Sequence, residues 1–264
     1  MSLETLPNFA ELTPRHLLHH QSGLPRYVFH PDFWKRVLQT PEPTWQHLDR
    51  LRFVLGAEPL FAPGAGWAYS DTNYVLLAWL LEALTGTAFE AAVMQRFVAP
   101  HRLHGVAPSN QRAIPRQAQA HVRLFAELGF EGRLLDADNR ARINPNFESA
   151  GGGFATTPTD LAHWAQLYFS GVATPHPNFE ALMLGVPADP QLFGPEARYA
   201  PGCIRRPTRA GLLLGHDGVM TGSQTTMGWF PERQLAVALQ INQDTKPGDP
   251  RPLVETLVDL ACAV

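Results

Sequence analysis

The sequence has few of the residues that cross-linked, metal-dependent or nucleic-acid-binding proteins need. It contains two cysteines and two lysines among 264 residues. Two cysteines, Cys203 and Cys262, cannot build a disulfide scaffold or a cysteine-based zinc site. Charged residues make up only 17% of the chain and the net charge is -3. Because a dedicated nucleic-acid binder carries a strong basic patch, this balance argues against a nucleic-acid partner.

Long hydrophobic runs are also missing. The longest, near Tyr74–Leu81, is too short to span a bilayer. Residues 1–4 show neither the basic nor the apolar region of a signal peptide, and the sequence leaves the compartment open. No internal repeat or low-complexity segment stands out. The composition, with 45% hydrophobic residues, is that of a globular chain with a sizeable core.

The apolar spacing predicts a mixed α/β (α+β) architecture, with a helical middle followed by antiparallel strands and a closing helix. At 13–14 and 157–158, a threonine cap followed by proline predicts a helix start. Residues 225–230 and 235–241, separated by four residues, predict a β-hairpin. Pro250–Ala263 predicts an amphipathic helix. Its expected core-facing residues are Leu253, Leu257, Leu260 and Ala261.

Two histidines suggest a metal site. His16 and His20 are four residues apart and share a face if the segment is helical, so they could bind zinc. A metalloprotease pattern needs a glutamate beside the first histidine, where Leu17 stands. The alternative is a packed helix end. We predict no metal and no other cofactor.

Tyr69-Ser70-Asp71 follows a glycine-rich turn at 63–66 and precedes a helix predicted from about Thr72 to Leu84. A helix N-terminus attracts anions, and a tyrosine there can act as a general base if nearby cations lower its pKa. The alternative is that Ser70 or Asp71 simply caps the helix.

His216-Asp217-Gly218 follows the apolar run 212–214. Polar side chains and a glycine at a strand end can line a cleft, because glycine lets a ligand approach the backbone closely. The alternative is a strand that leads into a turn.

Four segments, in order, carry a resemblance to a known family. Segment 12–25 contains Leu-Leu-x-His-x-Ser-Gly-Leu, and 69–71 is similar to Tyr-x-Asn. Segment 150–161 contains Gly-Gly-x-x-x-Thr-x-x-Asp-Leu, and 215–222 contains His-x-Gly. This ordered set resembles the serine β-lactamase-like family of class C β-lactamases, D-Ala-D-Ala carboxypeptidases and related esterases.

The resemblance implies a fold with an antiparallel sheet flanked by helices and a helical lobe. It also implies acyl transfer from a β-lactam, a D-amino-acid peptide or a small ester through an acyl-serine. Tyr69 would be the general acid/base, and Asp71 takes the asparagine position. The residues expected to bind substrate are Ser70, His216, Asp217 and Gly218.

The chain departs from the family at the nucleophile. Asp32 stands three positions before Lys35, and Gln243 stands three positions before Lys246, so no Ser-x-x-Lys exists. We therefore expect a single domain, 1–264, that lacks the family's first helix, first strands and nucleophile helix. Its expected parts are a helical lobe at 13–145 and an α/β lobe at 146–264.

The second departure is Asp71 in place of asparagine. An amide both donates and accepts hydrogen bonds, whereas an ionised carboxylate only accepts. A substrate carbonyl therefore loses a donor, and a nearby cation gains an anion.

Three functions stay open. The first is a family hydrolase that lacks its N-terminal segment and is inactive as given. The second is a pseudoenzyme that binds a ligand or partner, and the third is a metal-dependent hydrolase using His16 and His20. Without the first strands, Gly211–Gly215 or a hairpin edge would be unpaired, so we also expect self-association through a sheet edge.

Overall fold

The computed structural model describes residues 3–42, 44–244 and 251–262. The chain forms two compact units. The first comprises Met1–Arg96, Pro108–Ile114 and Ala141–Phe154, and the second comprises Phe97–Ala107, Pro115–Arg140 and Ala155–Val264. The lobes expected at 13–145 and 146–264 stay a prediction.

Helices occur in both units. The α-helices of the described residues are α1 (Pro14–Leu18), α2 (Phe33–Gln39), α3 (His47–Leu51), α4 (Asp71–Thr85), α5 (Phe89–Val93), α6 (Pro158–Phe169), α7 (Phe179–Met183), α8 (Pro190–Phe193) and α9 (Arg251–Cys262). A π-helical turn, Met94–Val98, follows α5 directly. Short 3-10 turns at Tyr27–Phe29, Pro145–Phe147 and Ser149–Gly151 contribute to the site described below.

Strands are concentrated in the second half of the chain. They are β1 (Ala107–Pro108), β2 (His121–Phe125), β3 (Phe130–Arg133), β4 (Phe154–Ala155), β5 (Val186–Pro187), β6 (Arg198–Ala200), β7 (Cys203–Thr208), β8 (Gly211–Met220), β9 (Ser223–Phe230) and β10 (Leu235–Ile241).

The first unit is built around α4 and an aromatic core. The expected helix near 72–84 is confirmed, and it ends at Gly86, whose φ of 65° suits the left-handed position after a helix. Phe33 is fully buried, and its ring lies 5.1 Å from that of Tyr27 and 5.9 Å from that of Phe147. Because Phe33 packs against both rings, this core holds the 3-10 turn at Tyr27–Phe29 next to the 3-10 turn at Pro145–Phe147.

The second unit contains a six-stranded antiparallel sheet with the order β10-β9-β8-β7-β6-β5. The predicted hairpin is confirmed, with Leu235 opposite Phe230 and a 3-10 turn at Pro231–Arg233 between the strands. Side chains alternate across the sheet. Leu214 and Trp229 pack in a cluster with α6, whereas Leu213 and Phe230 pack in a cluster with α9. The sheet is therefore buried between two helices.

Two expectations about this sheet are wrong. The apolar run Gly211–Gly215 is not an unpaired edge, because it belongs to β8, which pairs with both β7 and β9. A strand buried on both faces reads as a continuous apolar run. On α9, Val254 and Val258 face the sheet. The leucines expected there, Leu253, Leu257 and Leu260, are 52%, 40% and 62% exposed. Ala261 is exposed as well, while residues 250 and 263 of the predicted helix lie outside the described residues.

Among the residues that the structure describes, no single helix is long and apolar enough to cross a membrane. Residues 71–85 and 89–98, taken together as a bent pair, do reach that length and composition.

Candidate functional site

The start of α4 is held in place by a neighbouring loop. Ser70 stands at the N-cap position with extended backbone angles, as one of the alternatives expected. Its hydroxyl does not cap the helix but donates to the carbonyl oxygen of Pro25 at 3.1 Å. The hydroxyl of Thr72 donates to the same oxygen at 2.7 Å and accepts from the backbone N–H of Tyr27 at 3.2 Å.

The segment 12–25 supports this helix start from the other side. Ser22 Oγ donates to Asn73 Oδ1 at 2.6 Å. His20 Nδ1 accepts from Asn73 Nδ2 at 2.9 Å and from the backbone N–H of Ser70 at 3.2 Å. His20 is fully buried. The histidine and serine of the Leu-Leu-x-His-x-Ser-Gly-Leu pattern are therefore positioning groups for residues 70–73.

The shared helical face that a site of His16 and His20 would need is not formed. Thr13 caps α1 as predicted, but the helix ends at Leu18. His20 has a φ of 56°, in the left-handed region, so it does not share a helical face with His16. Within the part of the chain that the structure describes, no three or more His, Cys, Asp or Glu side chains are grouped to hold a metal ion.

Tyr69 lies between an imidazole and a guanidinium. Its ring is 4.3 Å from the ring of His20, and the Cζ atom of Arg26 lies 5.1 Å from its centre. Burial raises the pKa of Tyr69 well above its ordinary value, and the Asp71 carboxylate raises it further, while Arg26 opposes both. A base role required a lowered pKa, so here the phenol keeps its proton and can donate it.

Asp71 forms an ion pair with Arg26. The guanidinium donates to Asp71 Oδ2 from Nε at 2.8 Å and from Nη2 at 2.7 Å. The Asp71 side chain is 5% exposed, whereas that of Arg26 is 30% exposed. Arg26 also stacks on the exposed ring of Phe29 at 4.3 Å. The replacement of the family's asparagine by aspartate thus attracts a cation, as the sequence led us to expect.

A second carboxyl group approaches from the turn at Ser149–Gly151. Glu148 precedes this turn, and burial raises its pKa from 4.5 to about 8, with the Asp71 carboxylate as the next cause. A side-chain carbon added to Gly151 would lie 2.5 Å from Glu148 Oε1 and 3.6 Å from Asp71 Cβ. The two acidic side chains therefore flank the same glycine, and the glycine leaves room for the Glu148 carboxyl.

Arg50 fixes the backbone that carries Glu148. This arginine is 1% exposed and donates to the carbonyl oxygens of Asn146 and Phe147. The hydroxyl of Tyr27 donates to the same Phe147 oxygen at 3.2 Å. Burial lowers the pKa of Arg50, and Glu148 is among the groups that oppose this shift.

The His-x-Gly segment lies in the second unit, on β8. Because β8 continues to Met220, residues 216–218 lie within the strand and not at its end, which corrects the expected position. His216 Nδ1 is 2.6 Å from the carbonyl oxygen of Asp217, and Nε2 is 3.0 Å from the hydroxyl of Tyr199. In the neutral tautomer that fits both contacts, Nδ1–H donates and Nε2 accepts. The buried Tyr199 thus orients the imidazole.

Asp217 and Gly218 complete this strand segment. Asp217 accepts a hydrogen bond from the hydroxyl of Thr226 and lies 3.4 Å from Arg206 Nη1. Gly218 is exposed, and a side-chain carbon added to it would meet nothing within 4 Å. The backbone is thus open to an approaching ligand at Gly218.

The sequence-predicted residues fall into two groups. Residues 69–71 lie together in the first unit, and residues 216–218 lie together in the second. Sequence reasoning missed the groups that surround them, namely Arg26, Arg50, Asn73, Glu148 and Tyr199. Three of these had a signal: Arg26 follows Ser-Gly-Leu-Pro, Asn73 lies two residues after Asp71, and Glu148 precedes Ser-Ala-Gly-Gly-Gly.

Comparisons with known proteins agree with the motifs. A sequence profile of the Beta-lactamase family matches residues 4–260. Penicillin-binding protein 4* of Bacillus subtilis (strain 168) is 30% identical over 116 residues. That alignment covers 42% of this chain and spans only 25% of the relative's length.

Solved structures share the fold. A D-stereospecific amidohydrolase from Streptomyces sp. has a TM-score of 0.81 and 25% identity, covering 94% of this chain and 72% of its own. The D-amino acid amidase from Ochrobactrum anthropi SV3, in its complex with D-phenylalanine, has a TM-score of 0.74 and 21% identity. The match covers 99% of this chain and 81% of the amidase chain. Because the family profile matches residues 4–260 of its 264, the chain belongs to the Beta-lactamase family of serine hydrolases.

Proposed function

We propose that this chain provides the substrate-binding and proton-transfer part of a serine hydrolase that works by acyl transfer. We also propose that the 264 residues alone form no acyl-serine. Of the general acid/base role expected for Tyr69, we propose the acid half, and Asp71 replaces the asparagine of the second motif. Ser70 in the first unit and residues 216–218 in the second are each proposed to bind substrate.

In such a reaction a serine oxygen attacks the substrate carbonyl carbon, a base takes the serine proton, and a separate acid gives a proton to the leaving group. The bond to the leaving nitrogen or oxygen breaks, and water then cleaves the acyl ester. No Ser-x-x-Lys is present to begin this sequence. Ser22 and Ser70 donate their hydroxyl protons to Asn73 and to a backbone carbonyl. Burial raises the pKa of the Cys203 thiol to about 12, so it stays protonated.

The observation that carries the proposal is the placement of Tyr69. Its ring lies against the buried His20 and under Arg26, directly before the first turn of α4. Each residue of this arrangement comes from a segment that resembles a family motif or follows one. A protonated phenol in this position supplies a proton to a leaving group, which is the acid half of general acid–base catalysis.

Among the three substrate classes, we favour D-amino-acid amides and peptides. Support comes from the structural similarity to a D-stereospecific amidohydrolase and a D-amino acid amidase. The β7–β8 pairing ends at Gly215, so among the described strands residues 216–218 pair with β9 alone, and an extended substrate can lie along the other edge.

Intact-mass spectrometry tests the absence of an acyl-serine. The protein is incubated with nitrocefin, a p-nitrophenyl ester and D-phenylalanine amide, and we expect no covalent adduct and no turnover. Trapping an acyl adduct on a serine would contradict the proposal. The DNA upstream of Met1 gives a second, independent test, since an in-frame Ser-x-x-Lys there would supply a nucleophile.

Tyr69→Phe tests the proton-transfer role in a chain that also carries a nucleophile segment. Loss of the phenol is expected to lower kcat by about 10²–10⁴-fold, the usual contribution of a general acid or base. Lys35→Ala serves as the control. It removes an exposed side chain of α2 and should leave kcat unchanged. Equal kcat for Tyr69→Phe and the unmodified chain would remove Tyr69 from the mechanism.

A second candidate, a pseudoenzyme that binds a ligand, is favoured by the Arg26–Asp71 ion pair. This pair already satisfies both charges at the asparagine position. Two measurements together separate the hydrolase from the pseudoenzyme. One is isothermal titration of this chain with D-phenylalanine amide, and the other is the sequence of the DNA upstream of Met1. Binding to this chain without an upstream Ser-x-x-Lys supports the pseudoenzyme, whereas an upstream motif supports the hydrolase.

A further inference from the structure

We propose that Glu148 is a positioning residue of this site, which acts on Tyr69 through the Arg26–Asp71 ion pair. The inference concerns the site of the proposed function and rests on that function for its catalytic meaning. The charge coupling itself is a property of the first unit alone and needs no substrate.

The backbone places Glu148 beside Asp71 and holds it there. Gly151 leaves the space that the Glu148 carboxyl fills, as a side-chain carbon on Gly151 would lie 2.5 Å from Glu148 Oε1. A side-chain carbon on Gly153 would lie 2.1 Å from the Ser149 carbonyl oxygen, so this turn also needs glycine at 153. Ser149 itself is buried with a φ of 48°, an uncommon conformation for a residue with a side chain. The close contacts of this turn therefore fix the position of Glu148, the residue before it.

The charged groups that act on Glu148 come from three separate segments of the first unit. Asp71 lies at the start of α4, Arg26 lies in the loop before the turn at Tyr27–Phe29, and Arg50 lies on α3. Tyr27 adds a buried phenol whose pKa Glu148 helps to raise. Two guanidinium groups and two carboxyl groups therefore share this part of the first unit.

Whether Glu148 is protonated determines how many carboxylates interact with the positive charge of Arg26. With Glu148 neutral, Arg26 has one carboxylate partner, Asp71, and its positive charge also faces the Tyr69 ring. With Glu148 ionised, a second carboxylate competes for the same guanidinium. Arg26 lowers the pKa of Tyr69, while Asp71 and Glu148 raise it. Ionisation of Glu148 thus makes Tyr69 hold its proton more strongly.

Nuclear magnetic resonance of the Arg26 Nε–H group tests this coupling. In the unmodified chain, the Arg26 resonance should shift with a midpoint near the pKa of Glu148, about 8. Glu148→Gln removes the titrating group, so the shift should disappear. The exposed Glu11 gives a matched control, because Glu11→Gln removes one carboxylate elsewhere and should keep the midpoint. An Arg26→Lys variant assigns the resonance.

A carboxyl ¹³C titration of the unmodified chain keeps the test decisive if Glu148→Gln does not fold. We expect the Glu148 carboxyl to titrate near pH 8. Titration in the ordinary acidic range of a glutamate, or an Arg26 midpoint that persists in Glu148→Gln, would overturn the proposal. A purely structural role for Glu148 would change the unfolding temperature without changing the pH profile of Arg26. Because no substrate is used, these outcomes are independent of whether acyl transfer occurs.

Discussion

At the scale of single residues, the exchange of asparagine for aspartate at position 71 reorganises the charges around Tyr69. The Asp71 carboxylate is almost completely buried, and its partner Arg26 reaches it from a partly exposed position. A buried ion that loses its partner destabilises the fold, because its desolvation is no longer compensated. The pair therefore contributes to stability mainly through the cost of breaking it.

Removing Arg26 should destabilise the chain more than replacing Asp71. Arg26→Ala leaves a buried carboxylate alone and should lower the free energy of unfolding by about 2–4 kcal/mol. Asp71→Asn leaves a guanidinium that water can reach, and should cost about 1 kcal/mol. Urea unfolding of both variants and of the double variant measures the coupling. Additive losses would show that the two side chains do not interact.

Glu148 should make the stability depend on pH. Its pKa of about 8 in the folded chain lies above the ordinary value of 4.5, so folding takes up a proton between these values. The free energy of unfolding should be highest below about pH 4.5 and should fall, by roughly a few kcal/mol, as the pH rises through 8. Urea unfolding across this range should show a flatter profile for Glu148→Gln than for Glu11→Gln. Parallel profiles for the two variants would contradict this.

At the scale of elements, α9 shows how two adjacent apolar stripes compete for one sheet. Leu253, Leu257 and Leu260 are spaced as one helical face, and Val254 and Val258 as the next. The sheet covers the valines, which join Leu213 and Phe230 in the core. The leucines stay exposed, although they are larger.

Alanine substitutions on α9 should reverse the ranking that the sequence suggests. Val258 is fully buried, so Val258→Ala should lower the free energy of unfolding by about 1–3 kcal/mol through lost burial and a cavity. Leu257 is 40% exposed, so Leu257→Ala should cost less than about 1 kcal/mol. Chemical unfolding compares the two. A larger loss for Leu257→Ala would mean that the leucine face packs on the sheet.

At the scale of the whole molecule, the exposed leucines of α9 and the edge strand β10 both belong to the second unit. An edge strand presents unpaired backbone groups, and an apolar stripe favours contact with another surface. We therefore propose that the chain associates with itself through β10 and the leucine stripe.

Light scattering after size-exclusion chromatography tests this association. The unmodified chain should show a mass that rises with concentration. Replacing Leu253, Leu257 and Leu260 with glutamine should shift it toward the monomer and leave unfolding nearly unchanged, because these side chains contribute little to the core. A monodisperse monomer with cooperative unfolding for the unmodified chain would count against self-association.

Much of the fold follows from local patterns. The threonine caps at Thr13 and Thr157, the hairpin around Pro231–Arg233 and the helix at Asp71–Thr85 are confirmed. Each depends on residues close together in the chain, where caps, turns and periodicity act directly. The ordered motifs identified the family for the same reason, since they record residue types at fixed short spacings.

Only the tertiary structure decided which groups surround Tyr69 and which stripe of α9 is buried. Arg26, Asp71 and Glu148 meet although 45 residues separate the first two and the third lies further along the chain. Their pKa values depend on burial and on each other's charge, and neither is encoded in local spacing. The sequence by itself determined the family, the element types and the absence of Ser-x-x-Lys. Long-range packing determined the electrostatics of the site, because charges interact through space and not along the chain.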